Sequence, residues 1–484
     1  MSGIPIRRPY PVLSKDDLAR IHAATLEGLE QVGVKVGTAK GRKLLRDAGA
    51  SVDERTCVAR IPASLVEEIL RRPRVPVTLY GRHPSQDAVL DFEHVHICND
   101  GCGVLVVDYE TGERRESTSE DLAKAARVSN ALDNLHVFWP TVTSMDAPDR
   151  VRTLVDAKVS FVNTDKHILS ATTITEAEAH GLVAMAEAVA GGAERLREKP
   201  VLSSVETSIA PLQHEAGNID AALIFGNAGI PVAIFTMPGP GATGPVTLAG
   251  SIAVAAMEFL SGLVMCRLND PKAPVIWGCG VAPLDMKATT RAGGSPEHGM
   301  TGAAITQIAH MYGIPSLCGG FDSTASAPGT QAALEHIVSG FSLVLGGADL
   351  IVGIGQLEDA RTLWLEELLI DDETINMIRR IADGIVVDDD HIALDVIKKV
   401  GIGGMFLGQR HTMEHLRHEH FIPKIVDRRS FDQWEADGRK TMEDRARARI
   451  PEILAAPVPH PLSSEVVGEL DRIIERASVA VARA

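Results

Sequence analysis

Eight side chains fall where an enzyme would place its chemistry, at or just past the ends of short apolar runs: Asp100, Trp139, Thr141, Glu206, Ser208, Trp277, Phe321 and Asp322. Acids and aromatics in that combination suit an organic cation. An aromatic face attracts a quaternary ammonium by about 0.5–2 kcal/mol, and a carboxylate supplies the opposite charge. Glu206 is the first candidate for that charge, with Trp139, Trp277, Phe321, Asp322 and Asp100 around it. No basic residue stands at a strand end.

A second constellation is "PGPGATGPVTLAG", Pro238 to Gly250. Gly239, Gly241 and Gly244 spell the dinucleotide fingerprint between a strand-like run and a long apolar helix. Pro240 removes a backbone N–H from the loop that would cradle pyrophosphate. The next strand, "PVIWGCG", lacks the terminal acid that would hold a ribose, and the motif sits in the fifth strand–helix unit. NAD is therefore not expected. Pro245 fits the first position of the following helix. A loop of Gly239, Gly241, Thr243 and Gly244, with Gly319 and Gly320 at a later strand end, leaves a rim lined by backbone, open to a large flat cofactor.

"HTMEH", His411 to His415, spells an inverted zinc-peptidase motif, but it lies in the C-terminal extension and reads as a polar surface helix; no metal is expected. Cys98 and Cys102 lack the second pair a zinc site would need. Phosphate-loop and nucleophile-elbow motifs are absent. A barrel lyase would need a strand-end lysine or a metal set, and Lys166 precedes its strand.

The elements that must carry these residues alternate. Apolar runs at 94–98, 136–140, 167–171, 201–206, 232–237, 275–279, 314–319 and 350–354 are separated by helical patterns at 120–131, 149–162, 176–190, 215–227, 246–267, 296–311 and 330–345, with another near 358–380. Eight strand–helix pairs predict a (β/α)8 TIM barrel, α/β in class, over residues 93–382, with its site at the C-terminal rim. "VLVVDYETGERRES" reads as an added hairpin turning at Thr111 and Gly112. Residues 1–92 form an N-terminal helical cap module, beginning with a helix capped by Ser14. Residues 383–484 form a mostly helical extension, in which "DDDHIALDVIKKVG" reads as one capped helix.

The chain of 484 residues is 45% hydrophobic and only 4% aromatic, so its core is aliphatic. A formal charge of −16 without a basic run argues against nucleic acid and anionic membranes. No apolar stretch long enough to span a bilayer and no leader-like start are expected, and six scattered cysteines suggest a reducing cytoplasm.

Several long stretches carry a resemblance to a known family. "GPGATGPVTLAGSIAVAAMEFLSGLVMCRLNDPKAPVIWGC", "GSPEHGMTGAAITQIAHMYGIPS", "LLIDDETI" and "VGIGGMFLGQRHT" resemble the trimethylamine methyltransferase superfamily, and the similarity runs from "LEQVGVKV" to "IVDRRSFDQWEADGRKTMEDRAR". The resemblance implies a TIM barrel that methylates the Co(I) corrinoid, cob(I)alamin, of a small partner protein. It would explain the glycine-lined rim, and it leaves self-association open. The family's archaeal namesake carries pyrrolysine near the end of the seventh strand. The corresponding stretch here, Gly319 to Gln331, holds only ordinary residues. Members of that kind include demethylases of glycine betaine and related quaternary amines, which makes glycine betaine the expected substrate. The alternatives are a non-catalytic methylamine-binding relative and a barrel lyase without corrinoid.

Overall fold

The computed structural model describes residues 3–6, 9–101 and 103–482. Eight parallel strands close into a barrel: β1 (His94–Asn99), β2 (Val137–Phe138), β3 (His167–Ser170), β4 (Leu202–Thr207), β5 (Val232–Thr236), β6 (Val275–Cys279), β7 (Ser316–Gly319) and β8 (Leu350–Ile354). Each pairs with the next, and β8 returns to β1 with Leu350 opposite His96 and Ile351 opposite Ile97. The outer ring is α1 (Ser119–Ala131), α2 (Arg152–Asn163), α3 (Glu176–Ala190), α4 (Ala216–Ala228), α5 (Leu248–Asn269), α6 (Pro296–Met311), α7 (Thr330–Gly346) and α8 (Leu365–Ala382).

Local sequence explains the starts. Thr118 and Asp121 cap α1 reciprocally, Thr175 caps α3, and Ser295 caps α6 with Pro296 at its first position. Side chains alternate across each strand. Cys98, Val137, Leu169, Val205, Phe235, Ile276, Leu317 and Val352 point inward and pack together with Trp139. The hairpin of Val77–Leu79 and Ala88–Leu90 closes the floor: His96 bonds the Val89 carbonyl and His167 that of Tyr80. The opposite faces of the strands pack into one continuous core with the helices and the N-terminal elements.

Four local expectations change. α5 begins at Leu248 behind an N-cap at Thr247, so Pro245 precedes the helix rather than opening it. α8 begins at Leu365, because Gln356–Leu357 and Thr362–Trp364 form a hairpin instead. That hairpin joins the expected one, Leu105–Val107 with Arg114–Glu116, in a four-stranded sheet built from the first and last βα loops. "DDDHIALDVIKKVG" is broken at Ala393 (φ 51°) into Asp389–Ile392 and Leu394–Val400. Finally, α5 is long and apolar enough to cross a bilayer, contrary to expectation. It is mostly buried inside the fold, against β5 and the helix Lys15–Gln31.

Candidate active site

At the C-terminal mouth, three carboxylates surround one guanidinium. Arg291 lies on a short strand, Thr290–Arg291, paired with Leu284–Asp285 in the loop between β6 and α6. It donates to Asp322 Oδ2 at 3.2 Å and to Asp359 Oδ1. Asp322 follows β7, Asp359 belongs to the turn after β8, and Asp100 follows β1, where its Oδ1 accepts from Gly101 N at 2.8 Å. His298, in the first turn of α6, places Nε2 3.3 Å from Arg291 Nη2 and bonds the Gly293 carbonyl through Nδ1. A guanidinium only donates, so Nε2 is the acceptor and Nδ1 carries the proton. Burial, with Arg291 adding to it, holds His298 down at about 3, and the ring stays neutral.

The acids outnumber the available positive charge. Burial, reinforced by Asp322, pushes Asp100 up to about 8. Burial also raises Asp322 and Asp359, with Arg291 pulling the other way. A cation placed against these acids would favour their ionised forms.

The backbone that aims these groups is strained. Phe321 sits at φ 52°, and Glu358, Asp359 and Ala360 at 57°, 56° and 66°, a conformation side chains rarely adopt. Gly353 (φ 144°) brings the wall so close that an added Cβ would lie 1.6 Å from Gly320 O and 2.8 Å from Asp322 Oδ1. Behind the wall, His336 donates to Asp371 at 2.7 Å, and Asp371 accepts Gly355 N at 2.8 Å, anchoring the end of β8 to α8.

Trp139 lines the same mouth. Its ring lies against Gly101, where an added Cβ would be 2.4 Å away, and meets Phe235 edge-on with centroids 6.5 Å apart. Asn99 fixes that edge: its side chain accepts from Trp139 N at 2.9 Å and donates to Thr141 Oγ1 at 2.8 Å. Trp139 Nε1 and Arg291 Nε are buried donors with no acceptor among the described residues.

The structure thus brings Asp100, Asp322 and Trp139 together and sets other candidates apart. Glu206 and Trp277 lie in register with Ile234 on the outer face of the barrel. Glu206 is 3% exposed, accepts from Ser204 at 2.6 Å, and is pushed well above the usual carboxylate range by burial. Trp277 stacks on Phe259 of α5 at 4.5 Å. The Phe321 ring packs on Gly340 of α7, and Ser208 bonds Glu258 of α5 at 2.6 Å. Gly320 abuts Leu343 of α7, whereas Gly319 faces His298. Lys166 donates to the carbonyls of Ser129, Leu132 and Leu135 at the end of α1, a capping role.

In the glycine loop, the N–H groups of Ala242, Thr243 and Gly244 all turn back to the Gly239 carbonyl, and Gly239 N donates to Thr243 Oγ1. Such a loop offers no cradle for pyrophosphate. Cys98 is buried inside the barrel, and Cys102 lies outside the described residues.

Sequence reasoning missed Arg291, Asp359, His298 and Asn99. A faint signal existed for the first and third: "TTRAGGSPEHG" holds a lone arginine between a strand end and a capped helix start that bears a histidine.

The family model described as "Trimethylamine methyltransferase (MTTB)" matches residues 4–482. "Trimethylamine methyltransferase MttB" of Desulfitobacterium hafniense (strain DSM 10664 / DCB-2) is 35% identical over 462 residues, 96% of this chain and 93% of its own. "Glycine betaine methyltransferase" of Desulfitobacterium hafniense (strain Y51) is 31% identical over 468 residues, 96% of each chain. "Trimethylamine methyltransferase MttB2" of Methanosarcina mazei is 30% identical over 470 residues, 96% of this chain and 95% of its own. The solved monomethylamine methyltransferase MtmB of Methanosarcina barkeri covers 93% of this chain and 96% of its own at 11% identity and a TM-score of 0.45. With its closed parallel barrel and a family match along nearly all its length, the chain is a methyltransferase and belongs to the trimethylamine methyltransferase (MTTB) family.

Proposed function

We propose that this methyltransferase takes a methyl group from a quaternary amine, glycine betaine first, and passes it to the Co(I) corrinoid of a partner protein in the cytoplasm. The observation that carries the substrate class is the excess of carboxylate at the mouth: Asp100, Asp322 and Asp359 against the single Arg291, beside the ring of Trp139. Ionised carboxylates and an aromatic face hold a trimethylammonium group without hydrogen bonds. Arg291, whose Nε is uncommitted, is the basic group a betaine carboxylate requires.

The corrinoid, when its carrier docks, supplies a Co(I) nucleophile. The chain then needs no nucleophile of its own. Its part is to hold the N–CH3 bond in line and to keep water out. The rim offers a surface of the right kind for a corrin face. Ile174, Ile209, Met237, Val246 and Met286 are exposed on the loops after β3, β4, β5 and β6, around the side-chain-poor loop Gly239 to Gly244. The other side of the mouth is roofed by the sheet that carries Gln356–Leu357 and Leu105–Val107.

The leaving group favours a quaternary amine. Attack on a quaternary methyl expels a neutral amine, so no proton transfer is required. Neutral trimethylamine would have to expel an amide anion, and Phe321, Asp322, Ser323 and Thr324 supply no electrophile to activate it. The test is a panel of methylated amines mixed with enzyme and Co(I) cobalamin, followed by absorbance. Methyl-Co(III) forming with quaternary members supports the proposal, and its absence across the panel, with cobalt kept reduced, overturns it.

A further inference from the structure

His411 and His415 lie one turn apart on the exposed helix Arg410–Glu419, so their rings share one face of it. They stack at 4.2 Å with an interplanar angle of 29°. Facing them is Asp390, on the short helix Asp389–Ile392: its Oδ2 lies 3.2 Å from His415 Nε2, and its carbonyl accepts from His411 Nε2 at 3.0 Å. One ring nitrogen from each histidine and one Asp390 oxygen all lie within 4.8 Å of one another. We propose that His411, His415 and Asp390 form a divalent-cation site, suited to Zn2+, that fastens the turn at 388–392 to this helix.

Two imidazoles and a carboxylate oxygen are a zinc donor set, and water completes a tetrahedron. Bond lengths of about 2.0–2.1 Å place donors about 3.3 Å apart, so the three need close by roughly 1.5 Å at most. Exposed side chains make that adjustment by rotamer. His391 stands beside the site, its ring 5.1 Å from that of His415, held by Asp388 at 2.7 Å and 3.7 Å from Glu419. The role is structural rather than hydrolytic. Glu414, the residue a zinc peptidase would use as base, is turned away to Arg410 at 2.6 Å. The site also lies at the far end of α8 from the mouth, since Glu419 O accepts from Arg380 near the C-terminus of that helix. What it secures is the segment between its two ligand groups, which exposes Ile402, Met405 and Leu407.

The full chain, stripped with a chelator and dialysed, is titrated with Zn2+ alone by calorimetry. Wild type binds about one ion per chain, and His411→Ala/His415→Ala loses affinity by on the order of a hundredfold or more. Asp390→Asn, which leaves both histidines in place, weakens binding by roughly tenfold. Zinc slows proteolysis between residues 393 and 409 in wild type but not in the double variant. Absence of stoichiometric binding in wild type, or equal affinity in Asp390→Asn and the double variant to that of wild type, overturns the proposal.

Discussion

Binding of the proposed quaternary amine is expected to draw a proton off the mouth, from Asp100. Burial, with Asp322 beside it, holds Asp100 at about 8, so near pH 7 the carboxyl of the free enzyme is mostly neutral. A trimethylammonium group against Trp139 favours the ionised form. At about 5 Å and an effective dielectric of about 20 the attraction is roughly 3 kcal/mol. Ionising Asp100 one unit below its pKa costs about 1.4 kcal/mol. The net gain near pH 7 is about 2 kcal/mol, or roughly thirtyfold in affinity. The sign follows from the raised pKa: affinity climbs with pH, by up to tenfold per unit, and levels off above about pH 8. A quaternary amine has no titrating proton, so the slope belongs to the protein. Asp100→Asn flattens it and lowers affinity by roughly thirtyfold at pH 7 and by on the order of a hundredfold at pH 9. The assay is calorimetric titration with tetramethylammonium or glycine betaine from pH 6 to pH 9, in two buffers of different ionisation enthalpy to count protons released. A flat profile in wild type, or the same slope in Asp100→Asn, refutes the reasoning.

Glu206→Gln leaves substrate affinity unchanged, because the carboxyl is buried, bonded to Ser204 and turned toward the helices; a tenfold loss in the same titration would put it in the mouth. Arg291→Lys keeps the charge but loses the fork, so turnover of glycine betaine falls by roughly tenfold relative to tetramethylammonium, which has no carboxylate. Equal losses on the two substrates would deny Arg291 that role. Gly353→Ala forces a Cβ onto the Gly320 carbonyl at an unfavourable φ and costs more than about 3 kcal/mol, read by thermal unfolding. Burial pulls His336 down, but Asp371 and Glu367 overcome it and hold the ring at about 9. The stability this provides is present below about pH 6.5 and is lost as pH rises through 9, so His336→Gln costs up to roughly 3 kcal/mol at pH 6 and less at pH 9.5 in denaturant melts.

The barrel itself was readable because each strand is a compact apolar run bounded by helix caps, and those bounds shifted by only a residue or two. Which side chains face the mouth was not. Strands buried on both faces carry no alternation of polar and apolar residues, so Val205 and Glu206, or Ile276 and Trp277, offer no cue to the inward member. Asp100, Trp139 and Asp322 lie past the ends of their strands, but so do Ser208 and Phe321, which turn to the helices, so position along the chain does not by itself mark the mouth. Arg291 and Asp359 were hidden for another reason. They sit in loops that reach back over the mouth through tertiary contacts, and "QLEDARTLWLEE" has the composition of a helix although its first nine residues form a hairpin.

The central claim, methyl transfer from a quaternary amine, is tested most directly by following Co(I) cobalamin methylation with glycine betaine and with trimethylamine side by side, at equal concentration and neutral pH. A mouth rich in carboxylate predicts faster formation of methyl-Co(III) from glycine betaine. Faster transfer from trimethylamine would contradict the preference for a quaternary amine.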